Sequence, residues 1–101
     1  MSPPLRIEPE ARDEIEEAAV WYESHEDGLG AEFLRAVEHA LAIITRDPYQ
    51  YQVIRKRGQV RRIMLRPFPY GLMYVASEQE IVLVACMHGR RNPGRWQSRT
   101  R

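Results

Sequence analysis

The stretch that most constrains this chain is "IVLVACMH", residues 81–88. It is far too short to cross a bilayer, which takes about 20 consecutive apolar residues. Eight residues with hardly a polar atom instead imply a strand buried on both faces, and therefore central in its sheet. The rest of the second half supplies that sheet. "VRRIMLR" alternates, with Arg61, Ile63 and Leu65 on one face and Val60, Arg62, Met64 and Arg66 on the other. "PFPYG" holds two prolines and a glycine, which suits a turn. "LMYVA" reads as the next strand and "SEQE" as the turn before the last one. Upstream, "PYQYQVIRKRGQ" is a polar and aromatic connection with room for a short strand around Gln52 to Ile54.

The first half has a different period. "PLRIEP" reads as a short strand, Leu5 to Glu8. Pro9 then stands where a helix can begin, with Glu10, Asp13 and Glu14 in its opening turns, where negative charge suits the helix dipole. Ala11, Ile15, Ala18, Ala19 and Tyr22 recur at helical spacing, opposite Asp13, Glu14, Glu16, Glu17 and Glu23. After the break "EDGLG", Phe33, Val37, Ala40, Leu41 and Ile44 form a second stripe, with Leu34 at its edge. That helix runs from about Gly30 to Arg46, because Asp47 precedes Pro48 and is pushed out of helical geometry. Two helices joined by a short glycine loop form an antiparallel hairpin with one shared apolar face. The expected fold is α+β, in the order β-α-α-β-β-β, with the hairpin packed on one face of a mainly antiparallel sheet. A chain of 101 residues forms a single domain over 1–101, with residues 96–101 expected to be a flexible tail.

Composition narrows the function. The lone cysteine, Cys86, excludes an internal disulfide framework and fits a reducing compartment. "MSPPLRIEPE" lacks the apolar core of a signal peptide, so a cytoplasmic, soluble protein with no membrane partner is expected. The net charge of +1 hides a split. Residues 1–47 carry twelve Asp and Glu against four Arg, whereas residues 48–101 carry eleven Lys and Arg against two Glu. Of the fifteen basic residues fourteen are arginine, whose planar fork grips phosphate or carboxylate with two hydrogen bonds. Such a half suggests phosphate groups or an acidic protein partner; the plainer reading is a solvated surface whose halves happen to differ.

Three groups of residues could carry chemistry. His88 ends the last strand, before Gly89, Arg90 and Arg91, and histidine suits proton transfer near neutrality. Its plainer role is a hydrogen bond to a backbone carbonyl. Arg61, Arg62 and Arg66 sit in an otherwise apolar strand and must either snorkel or find an anion. Arg55, Lys56 and Arg57 form a charged loop, a kind of segment that is usually just solvated. His25, His39 and Cys86 lie in different elements without ligand spacing, so neither a metal nor another cofactor is expected. The residues left could bind or cleave a phosphodiester, or engage an acidic protein.

Three local signatures resemble those of the RelE/ParE family, the toxins of bacterial type II toxin–antitoxin systems. They are Trp21-Tyr22 with the glycine turn and Phe33; "VRRIMLRPFPYGLMYV"; and the terminal "HGRRNPGRW". The likeness runs from about residue 7 to 99. It implies a small cytoplasmic toxin held inactive by a cognate antitoxin, a segment of which wraps the toxin. RelE-like members cut messenger RNA on the ribosome, where a base, an acid and phosphate-holding cations are needed. ParE-like members inhibit DNA gyrase with no cleavage chemistry of their own. Against the cleaving pattern, Arg61 or Arg62 matches the phosphate-holding arginine, and His88 or Lys56 could move the proton. No tyrosine follows His88, however, and no glutamate lies between Asp47 and Gln59. The resemblance therefore favours the ParE side, with Arg55, Arg57, Arg66, Arg90, Arg91, Arg95 and Trp96 meeting the target or the antitoxin. The ribosome and messenger RNA are the alternative targets, and an inactive relative that only binds its antitoxin is a third reading.

Overall fold

The computed structural model describes residues 3–89 and Arg99. The elements are β1 (Leu5–Ile7), α1 (Pro9–His25), α2 (Leu29–Arg46), β2 (Val53–Arg55), β3 (Val60–Met64), β4 (Tyr70–Ala76) and β5 (Ile81–His88). This is the expected α+β order, with the short strand near residues 52–54 realised as β2. One five-stranded sheet results, in the order β1-β5-β4-β3-β2. All neighbours are antiparallel except β1, which runs parallel to the first three residues of β5.

The helices form where the period changes. Pro9 opens α1 at its first position, where a missing N–H leaves nothing unsatisfied. Both stripes face inward: Ala11, Ile15, Ala18, Ala19 and Tyr22 on α1, and Phe33, Val37, Ala40 and Ile44 on α2. Leu41 is only partly buried and Leu34 is exposed, as suits the edge of a stripe. The turn between the helices depends on glycine. Gly28 has φ of +89°, and a Cβ on Gly30 would lie 2.6 Å from the carbonyl oxygen of Ala19. Since Gly28 offers no capping side chain, Glu23 of α1 does the work. Its carboxylate accepts the backbone N–H groups of Gly28 and Gly30, both at 2.9 Å. A negative charge thereby sits on the otherwise open N-terminus of α2.

Residues on β5 pack on both faces, as its sequence requires. Ile81, Leu83 and Cys86 join the core under the helices, with Leu72, Tyr74, Ile63 and an aromatic group of Tyr22, Phe33 and Phe68. Val84, Ala85 and Met87 join a second cluster on the opposite face with Val60 and Met73. A register shift between Met73 and Tyr74 lets Val84 and Ala85 fall consecutively in that second cluster. Among the described residues, no helix is long and apolar enough to cross a membrane.

Candidate functional site

Arg61 begins on the helix-facing side of β3 and is used by the fold. Its guanidinium donates to the carbonyl oxygens of Tyr49 at 3.0 Å and Tyr51 at 2.5 Å. It also lies over the Tyr49 ring, 5.3 Å from the centroid. Beside it, across the register, the buried Tyr74 hydroxyl donates to Pro48 at 2.8 Å, and burial pushes that phenol up to about 12. Together the two side chains fasten the segment that leaves α2. Arg62 points to the other face, exposed, its stem packed over Gly71. The strand ends at Met64, so Arg66 stands in the following turn and does not share a strand face with Arg62 as the alternation had suggested.

The remaining cations are spread along the sheet. Arg55 closes β2, and Lys56 and Arg57 occupy the exposed turn before β3. That turn and Arg66 stand at opposite ends of β3, about 17 Å apart at the usual strand rise. Among the described residues, Arg62, Arg66, Lys56 and Arg57 make no ion pair with the acidic helices. Arg90, Arg91, Arg95 and Trp96 lie outside the described residues. Of residues 96–101, where a tail was expected, only Arg99 is described.

His88 lies at the far end of the sheet from Arg61. Arg61 is opposite Tyr74 and His88 is opposite Tyr70, which sets them four residues apart along β4 and two strands apart across it. At standard spacings that is about 13 Å along and about 10 Å across. Arg62 is on the wrong face, and Lys56 is farther still. The arrangement does not bring the arginine and the histidine into one site. His88 instead packs edge-on against Tyr70, at 5.4 Å, and lines a cleft of about 700 Å³. Glu14, Glu17, Trp21, Tyr22 and Cys86 form other parts of its wall. Trp21 is 53% exposed and is held by stacking on His25 at 3.9 Å. The Cys86 thiol, by contrast, is pushed up to about 12 by burial first and Glu14 second, so it is no nucleophile.

A second groove, of about 520 Å³, opens between α2 and β3. It exists because β2 pairs with β3 only at Val60 and Arg61, which leaves the edge from Arg62 to Met64 with no strand beside it among the described residues. Its floor is apolar, from Ala36, Ala40, Ile43, Ile63 and Leu65, and its rim carries His39, Arg62 and Arg66. An apolar floor with a basic rim and an open strand edge suits an acidic, amphipathic chain. From the sequence His39 is weighed only as a metal ligand, because its partners in the groove from outside α2 lie 12 or more residues away.

Glu14 was also missed as a site residue. It accepts the N–H of Cys86 at 3.0 Å and pairs with Arg99 at 2.9 Å. The available signal was its place three residues after Ala11 and four before Ala18, on the flank of the buried stripe.

Comparison with known proteins agrees with this architecture. A family model described as "ParE toxin of type II toxin-antitoxin system, parDE" matches residues 5–93. The solved structure titled "Chromosomal ParDE TA system from P. aeruginosa" superposes with a TM-score of 0.64 at 14% identity, covering 86% of this chain and 96% of that one. At that identity the likeness bears on the fold alone. No curated protein matches the chain.

Proposed function

Because the chain belongs to the ParE toxin family of type II toxin–antitoxin systems, we propose that it arrests growth by inhibiting DNA gyrase and that a cognate antitoxin neutralises it. One observation carries this reading over messenger RNA cleavage on the ribosome. Arg61 is committed to the Tyr49 and Tyr51 carbonyls and stands two strands away from His88, so the two residues that cleavage would most need are apart. An inhibitor that works by occupying its target needs no such pair. The acidic antitoxin segment docks in the groove between α2 and β3, where it can extend the sheet along Arg62–Met64 and set carboxylates against Arg62 and Arg66.

The test is a supercoiling assay on relaxed plasmid, with purified protein titrated against gyrase. Inhibition near stoichiometric amounts, relieved by antitoxin, is the expected result. Pulse-labelling after induction should show DNA synthesis failing before protein synthesis. Intact supercoiling together with cut messages in a translating extract would replace this reading with the nuclease one. Arg62→Glu with Arg66→Glu should weaken antitoxin binding at least tenfold and flatten its salt dependence.

A further inference from the structure

Gly71 lies buried inside β4, with no turn and no positive φ to require a glycine there. In a strand interior a glycine gives up packing and backbone order, and it often marks the close approach of another group. Here the approaching groups are two side chains of β3. A Cβ on Gly71 would lie 3.0 Å from Cδ and 3.1 Å from Cγ of Arg62, and 3.2 Å from the Met64 sulfur. The register gives the Arg62 contact a direction. Arg62 is paired with Met73, whereas Gly71 is paired with Met64. The Arg62 stem therefore runs diagonally, two residues along β4, towards the turn that carries Arg66. It also leans inward over β4, off the free edge of β3. Both arginines line the groove between α2 and β3, and among the described residues neither has an ion pair.

We propose that Gly71 is a positioning residue for antitoxin recognition: lacking a side chain, it lets the Arg62 stem lie over β4, so that Arg62 and Arg66 together meet the carboxylates of the incoming segment at the turn end of the groove. The role rests on the groove being where the antitoxin docks. Three physical consequences recommend it. A stem that already lies down has fewer arrangements to surrender on binding than one free in solvent. Leaning inward, it leaves the β3 edge clear for the main chain of the incoming segment to add as a strand. Two cations gathered at one end also fix the register of that segment, since a slip of one residue turns its acidic side chains to the other face. The segment that fits is one whose acidic residues gather at the β3–β4 turn while its apolar side chains lie over Ala36, Ala40 and Ile43.

Gly71→Ala tests the idea without breaking the fold. The atoms it crowds belong to an exposed and a half-buried side chain, both flexible, and not to backbone. Those side chains must shift, while alanine is the better strand residue of the two, so the thermal melt should stay nearly unchanged. Binding is read by titration calorimetry with purified cognate antitoxin, at low and high salt. The full-length variants are Gly71→Ala, Arg62→Ala, Arg66→Ala and the Gly71→Ala/Arg62→Ala double. Gly71→Ala should weaken binding several-fold and lessen its salt dependence, and Gly71→Val, which fills more of the space, should weaken it further. In the Arg62→Ala background Gly71→Ala should cost nothing more, because the glycine acts through that arginine. An equal loss with and without Arg62 would mark an ordinary packing effect and overturn the positioning role. So would wild-type binding by Gly71→Ala alongside weak binding by Arg62→Ala. Should Arg62→Ala and Arg66→Ala both bind as the wild type does, the antitoxin docks elsewhere, and the docking site falls together with the role of Gly71.

Discussion

Replacing Arg61 with alanine should destabilise the protein, because the fold itself uses this side chain. The side chain makes two charge-assisted hydrogen bonds to the Tyr49 and Tyr51 carbonyls and lies over the Tyr49 ring. A hydrogen bond to a charged group contributes about 1.5–3 kcal/mol when buried. The Tyr51 bond is part-buried and the Tyr49 bond is exposed, so the first counts at the low end and the second for a fraction of it. With the exposed stacking worth about 0.5 kcal/mol, the expected loss is about 2 kcal/mol. In a chain near 100 residues that lowers the melting temperature by about 10 °C. Arg61→Lys keeps one donor and the charge and should lose about half as much. Circular dichroism melts would measure both, with Tyr74→Phe as a companion, since its hydroxyl holds Pro48 in the same segment. Should Arg61→Ala melt within 2–3 °C of the wild type yet abolish toxicity, the residue acts on the target and its structural role is wrong.

Other consequences follow from the same contacts. Gly30→Ala forces a methyl to 2.6 Å from the Ala19 carbonyl, a backbone atom that cannot step aside. A loss of about 2–3 kcal/mol is expected, read from urea unfolding. Glu23→Ala removes the cap on α2 and should lose about 1 kcal/mol, with Glu23→Gln losing less because the amide oxygen still accepts. At alkaline pH, Cys86 and Tyr74 keep their protons in the folded state, with both groups held at about 12 against ordinary values of 9.0 and 10.0. The unfolded chain releases those protons first, so stability is intact below pH 9 and falls as pH rises towards 12. Cys86→Ala should flatten the first part of that decline, which urea midpoints across the range would show.

Much of this protein is written in its periodicity. The 3.6-residue stripes of Ala11 to Tyr22 and Phe33 to Ile44 set the helical hairpin, because a stripe of that spacing can be buried only on a helix. The unbroken run from Ile81 to Met87 set a strand covered on both faces, because a strand with no polar side has no face to give to water. Glycine at 28 and 30 marked the turn. What local pattern could not decide was which distant residues meet. Strand order placed β4 between Arg61 and His88, and a register of four residues drew them to opposite ends. The shortness of β2 opened the groove beside Arg62, and residues 85 positions apart closed on each other as Glu14 and Arg99. Such contacts depend on how whole elements dock, and an arginine carries the same charge in the sequence whether it finds a carbonyl, a carboxylate or water.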